Sequence, residues 1–590
     1  MAIIFTAHRR QAELVAPARP TPHEHKALSD IDTQRGLQFY TAGVEFFRRR
    51  HHAAAVFSGG DDDNSGDPVG IIRAALAEAL VSFYPLAGRL RELPVAGGGG
   101  GKLVVECTAE GVVFVEADAD AELVAPARPT PHEHKALSDI DTQRGLQFYT
   151  AGVEFFRRRH HAAAVFSGGD DDNSGDPVGI IRAALAEALV SFYPLAGRLR
   201  ELPVAGGGGG KLVVECTAEG VVFVEADADV RLQELGHGQP LGPPYPCVEE
   251  LLCSNLVGEP DVVVGKPLLF LQVTRFRSNE GFCIGYHFCH TITDAFGMAQ
   301  LLHTVYHLAS GDGESLTDPP VWERDLLAVA PRRTSPRITH YEHPAYEPLP
   351  ISSSAAVAQD DVVRTTPREQ MVTRYFHLGP TEIATMRAHV PSSATIFELV
   401  TAALWRCRTA ALGYAATQRV RILVISSARW SWKRDPPLPR GFYGNMLVPQ
   451  IAEATVSEIC GLPLAHAVEL VRRRKFAVTD GYMWSMLDML ARRSWPLINL
   501  DWTFVVADAG GLSQSLGEAG TAIVGKWERA GGGITADGQV VAASLHSYYE
   551  RCRRGEGEEA AVVSMCLPAP AMERFAREIM VCSSSVMSAI

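Results

Sequence analysis

The chain has 590 residues, a formal charge of −13 and 46% hydrophobic side chains. That apolar content excludes a long disordered chain, and the acidic balance argues against nucleic acid as the main partner, since phosphate binding needs clustered lysine and arginine. No stretch of 18 uncharged apolar residues is present to span a bilayer. The opening MAIIFTAHRRQ has too short an apolar run for a signal peptide. The 11 cysteines are scattered without Cys-x-x-Cys pairs, which fits free thiols in a reducing, cytoplasmic setting.

From the N-terminus onward the first feature is a repeat. Residues 12–120 reappear without a substitution as residues 121–229, at a constant offset of 109. Solenoid units are short, numerous and diverged; identity over this length reads instead as a recent tandem duplication or an error of gene assembly. Removing one copy leaves 481 residues. Each copy carries an amphipathic helix, with Ile181, Leu185, Leu189 and Phe192 on one face of the second and Ile72, Leu76, Leu80 and Phe83 in the first. A strand follows over Lys211–Ala226. Two identical copies compete for one docking surface. The second is contiguous with Val230 and has the entropic advantage of a short connection, so it is expected in the fold, with residues 1–120 as the extra segment.

Further along, Leu268–Phe276 and Phe282–His290 read as a hairpin around the turn residues Arg277–Gly281, followed by helical spacing over Met298–Leu308. A Pro/Ser-rich stretch, about Asp318 to Asp361, reads as a crossover linker. Strand-like Tyr375–Leu378, a helix over Pro380–His389 and a longer helix over Thr395–Ala411 open a second unit near Val372. Strands and helices mix in both halves, which predicts an α/β architecture of two units with a cleft between them. The domain boundaries expected are 1–120, 121–325, a linker at 326–371, and 372–590.

The sharpest chemical feature is Gly285–Gly297, GYHFCHTITDAFG, with His290 and Asp294 at the end of a strand. Histidine is suited to take a proton near neutral pH, and a nearby carboxylate can fix its loop. His287, inside the alternating strand, fits the core better. Other candidates fail. Gly97–Lys102 lacks the helix that a phosphate loop needs. Asp61–Gly66 lacks the closing glutamate of a calcium loop. The His-Glu-His triplets at 23–25 and 132–134, and His340 with His343, lack further ligands at metal spacing, so no metal is expected.

HTITDAFG resembles the HxxxD signature of the plant BAHD acyl-CoA-dependent acyltransferases. ELVAPARPTPHEHKALSDIDTQRGLQFY, FYPLAGRLRE, KPLLFLQVTRF, ELVTAALWRCRTAAL, PPLPRGFYGN and CLPAPAMERF extend the likeness, toward the benzyl alcohol O-benzoyltransferase branch. The resemblance implies two similar mixed-sheet domains with an active-site channel between them. It implies acyl-CoA as co-substrate with no bound cofactor, a small-molecule alcohol as acceptor, and a monomer. His290 matches the general base and Asp294 the structural aspartate, with Arg429 as its partner; Gly297 and Asn445 fall among the structural positions. The family's DFGWG motif is reduced to scattered glycines, with Ser513 and Gly517 at its expected place on the CoA side, which bears on CoA affinity and activity level. Extra residues after Arg429, including Trp430 and Trp432, bear on the pocket. Two alternatives stay open: a non-enzymatic relative that binds CoA or another ligand without turnover, and an enzyme that acylates amines.

Overall fold

The computed structural model describes residues 8–9, 13–28, 68–93, 102–114, 117–118, 121–159, 176–202, 211–236, 241–245, 247–257, 262–277, 280–311, 318–327, 341–347, 361–367, 370–492, 498–510, 516, 523–524, 526–535, 545–554 and 558–583. Two compact units emerge, one holding Ala121–Ile590 and the other Thr6–Asp120.

The larger unit is built on two mixed sheets. Its strands are β1 (Ala121–Val124), β2 (His134–Ala136), β3 (Tyr149–Arg158), β4 (Arg198–Leu202), β5 (Lys211–Glu215), β6 (Val221–Ala228), β7 (Leu269–Phe276) and β8 (Gly281–Cys289) in the first half of the sequence. The second half supplies β9 (Met371–Leu378), β10 (Arg419–Ser427), β11 (Leu447–Thr455), β12 (Thr503–Asp508), β13 (Ile523–Val524), β14 (Trp527–Ile534), β15 (His546–Arg554) and β16 (Glu558–Pro568). The first sheet runs β13-β14-β3-β8-β7-β6-β1 and the second β9-β16-β15-β12-β10-β11, with β4-β5-β2 as a small third. The hairpin read from the sequence is β7–β8, antiparallel with Leu269 opposite Phe288.

Strand β14 crosses from the second half to pair antiparallel with β3. A boundary drawn along the sequence at residue 372 does not foresee this. Its physical anchor is a buried ion pair, Arg529 Nε to Glu154 Oε2 at 2.5 Å, between adjacent strands. Burial pushes the Glu154 carboxyl up while Arg529 opposes that.

Helices close the sheets. Helix α1 (Pro177–Ser191) starts with proline at its first turn and Asp176 as cap, and buries Ile181, Leu185 and Leu189. It packs with α2 (Ala295–Ser310) into the core that also takes Leu269, Leu271, Leu301 and Val305. Helix α3 (Ile396–Leu412) is set by a capping box between Thr395 and Glu398 and stopped by Gly413 at φ +70°. It centres a second core with α4 (Ala569–Ser583). The shorter helix expected over Pro380–His389 spans Pro380–Arg387.

In the smaller unit Arg89–Leu93, Lys102–Glu106 and His25–Ala27 form a three-stranded sheet. Its register, Arg89 and His25 each opposite Glu106, repeats that of β4-β5-β2, where Arg198 and His134 face Glu215.

Replacing Arg529 with alanine leaves Glu154 buried without its counter-charge, so Arg529→Ala is expected to cost about 3–5 kcal/mol in urea unfolding at neutral pH. A loss below about 1 kcal/mol would show that the pair does not hold β14 in the sheet.

Candidate active site

Strand β8 ends at Cys289, and the next five residues turn from the sheet into α2. Each turn of this loop is tied down. The His290 N–H donates to the Phe148 carbonyl at 2.8 Å, and the Thr291 hydroxyl donates to the Leu146 carbonyl at 3.0 Å. The Thr293 hydroxyl donates to the Tyr443 carbonyl at 2.8 Å, which links the loop to the second half of the unit.

Asp294 closes the loop. Its Oδ1 accepts the Gly297 N–H at 3.1 Å, capping α2. Arg429 Nη2 lies 2.8 Å from both carboxylate oxygens, and the Met446 N–H donates to Oδ2 at 3.1 Å. Arg429 is itself held by the carbonyls of Phe442 and Gly444. Asp294 is therefore engaged within the protein, by α2, Arg429 and the Met446 main chain. Gly297 is required by space: a Cβ there would meet the Thr293 hydroxyl at 2.0 Å and the Tyr443 carbonyl at 2.3 Å.

The His290 ring packs against Phe148 and Phe288, at centroid distances of 5.1 and 5.8 Å. The residue is half-buried, with Nδ1 on the inner side. Burial lowers the imidazole pKa, while the residue's own main chain, Asp294 and Asn445 oppose the shift. The net direction favours a neutral ring at pH 7, the form that accepts a proton. His287 lies in the core, bonded to Ser254, and burial lowers its pKa to about 4.

Asn445 gathers a further set of contacts. Its Nδ2 donates to the His290 carbonyl at 2.8 Å and to Asp141 Oδ1 at 2.9 Å, and its N–H also reaches Asp141. Arg324 completes the set: Nε is 3.2 Å from Asp141 Oδ2, and Nη2 donates to the Ile292 carbonyl at 2.7 Å. The guanidinium also stacks over Trp322, 4.3 Å from the ring centroid. Asp141 and Arg324 are not among the residues singled out from the sequence. The signals present were the repeated Ser-Asp-Ile-Asp segment and an Arg-Asp pair inside an otherwise proline-rich stretch. Arg324 and Tyr443 also line a cleft of about 630 Å³ with Lys135, Tyr193 and Trp322.

Of the two tryptophans after Arg429, Trp430 is exposed, whereas Trp432 is buried against Trp484 with rings 5.0 Å apart. Trp432 thus serves the core. Ser513 and Gly517 lie outside the described residues. Among the described residues no group of three histidine, cysteine, aspartate or glutamate side chains could hold a metal ion.

The Transferase family profile matches residues 6–124 and 121–509, taking in both copies of the repeat. The chain is similar to Acyl transferase 1 of Oryza sativa subsp. japonica, 47% identical with 80% of this chain and 96% of that protein covered. It is 40% identical to Spermidine hydroxycinnamoyltransferase 1 of the same rice, over 74% of this chain and 92% of that one. It is 39% identical to Benzyl alcohol O-benzoyltransferase of Petunia hybrida, over 79% and 94%. The fold resembles that of vinorine synthase, with a TM-score of 0.54, 17% identity and 79% and 98% of the two chains covered. It also resembles F. sporotrichioides TRI101 complexed with coenzyme A and T-2, at 0.54, 13%, 75% and 97%. These likenesses give two mixed-sheet α/β domains of the CoA-dependent acyltransferase type.

The ion pair predicts coupling. Asp294→Ala and Arg429→Ala are each expected to destabilise the chain by about 3–5 kcal/mol, and the double variant by much less than the sum. Additive losses in a double-mutant cycle would show that the two side chains act separately.

Proposed function

Because this chain belongs to the Transferase family of plant acyl-CoA-dependent acyltransferases, we propose that it moves a benzoyl or acetyl group from coenzyme A to an alcohol hydroxyl, with His290 as general base. The carrying observation is the half-buried His290, whose imidazole pKa burial lowers and whose main chain is tied on both sides at the end of β8. Its Nε2 takes the proton of the acceptor hydroxyl as that oxygen attacks the thioester carbon. The tetrahedral intermediate expels the CoA thiolate, and the imidazolium returns the proton to sulfur. Ester and free CoA result, and no acyl-enzyme is formed. Asp294 and Arg429 act only through the loop that they hold. Ser513 and Gly517 are assigned to the CoA side by their position in the sequence. The enzyme is read as a cytoplasmic monomer.

The relatives support the acceptor class in two directions. The petunia protein is named for an alcohol and the rice protein of similar identity for spermidine, an amine. Amine acylation is therefore the second reading. An alcohol and an amine offered at equal concentration separate the two, the faster release of CoA naming the acceptor.

Loss of the base is expected to lower kcat/KM about 10²–10⁴-fold in His290→Ala, with benzoyl-CoA and benzyl alcohol as probes. An unchanged rate would remove His290 from the chemistry. Stabilisation of the unaltered chain by CoA without turnover of any acceptor would support the ligand-binding alternative instead. Since burial depresses the His290 pKa, the proton-accepting form persists as pH falls. The acidic limb of kcat/KM is expected to break below about 6.5, the value of an unperturbed histidine.

A further inference from the structure

The two identical copies differ in what covers them. In the second copy Phe192 and Leu199 are 0% exposed, packed with α2, β7 and Tyr443; their counterparts Phe83 and Leu90 are 62% and 61% exposed. Ile181 and Leu195 are likewise buried, whereas Ile72 and Leu86 are exposed. The surface that encloses the second copy belongs to residues 230–590, and the same amino acids in the first copy present the matching apolar face.

The described residues of the first copy repeat contacts made inside the second. Tyr84 donates to Glu24 at 2.5 Å as Tyr193 does to Glu133 at 2.6 Å. The Cys107 N–H bonds the Glu24 carbonyl as Cys216 bonds Glu133, and Gly111 bonds Ala87 as Gly220 bonds Ala196. Arg91 pairs with Glu106 as Arg200 does with Glu215.

The chain path also permits exchange. In the docked copy β1 pairs antiparallel with β6, Ala121 opposite Val224, so the copy begins and ends on neighbouring strands. A folded copy with adjoining ends can stand as an insertion between residue 120 and residue 230 without stretching the chain. Contacts made by either occupant are the same; only the loop-closure entropy of carrying the other copy as an insertion favours residues 121–229.

We propose that residues 12–120 are a second, interchangeable occupant of the surface that residues 121–229 fill, so that either copy of the same chain can complete the seven-stranded sheet. Deleting 12–120 or 121–229 yields one and the same 481-residue sequence, so the test needs marked copies. Two carboxylates placed in the buried face, Ile181→Asp with Phe192→Asp, bar the second copy; Ile72→Asp with Phe83→Asp bar the first. Calorimetric unfolding gives a readout independent of catalysis. The chain marked in the second copy alone should keep the cooperative transition of its larger unit within about 5 °C of the unmarked chain. The chain marked in both copies should lose that transition, as should the 481-residue chain carrying Ile181→Asp and Phe192→Asp. Loss in the chain marked only in the second copy, equal to that of the chain marked in both, would overturn the proposal.

Discussion

The carboxylate of Asp294 is the constraint on which the site depends. One oxygen caps α2, both face the Arg429 guanidinium, and one takes the Met446 N–H. The group is almost fully buried, so its charge must be answered inside the protein, and Arg429 with its carbonyl partners does so. The consequence is mechanical. The loop from His290 to Asp294 is pinned at its far end to the second half of the unit, and the direction of α2 is fixed from its first turn. A carboxylate engaged in this way holds the loop, and in the proposed reaction the base is the imidazole.

A second anchor holds the near end. Asp141 lies in the loop before β3, Arg324 in the segment after α2, and Asn445 between β10 and β11. Together they grip the carbonyls of His290 and Ile292. Three stretches far apart in sequence thus converge on the main chain of one loop. Because Asp141 belongs to the duplicated segment, the site is complete only when a copy of that segment is docked. On the exchange proposed above, occupancy of the docking surface is a condition for turnover as well as for the sheet.

What could be read from the sequence follows physical range. The β7–β8 hairpin, α1 and α3 were legible because alternation, helical spacing and caps are local. The position of His290 just after a strand end was legible for the same reason. The pairing of Asp294 with Arg429 came from the family resemblance, since nothing local joins residues so far apart. Asp141 and Asn445, 304 positions apart, left no local signature of their contact. Nor did β14, whose partner β3 is chosen by a buried charge pair and a sheet edge formed only in the folded chain. The repeat was plain, and the short connection to Val230 pointed to the second copy as the docked one; the copies' own amino acids, being identical, carry no such signal.

In the proposed reaction the fold holds the His290 imidazole neutral and ready to accept a proton at physiological pH. Titration of the His290 ring by NMR in the intact chain, assigned through loss of its signal in His290→Gln, tests it most directly. A midpoint below the ordinary histidine value of about 6.5, coincident with the acidic limb of turnover, is the predicted result. A midpoint at or above that value would contradict the account.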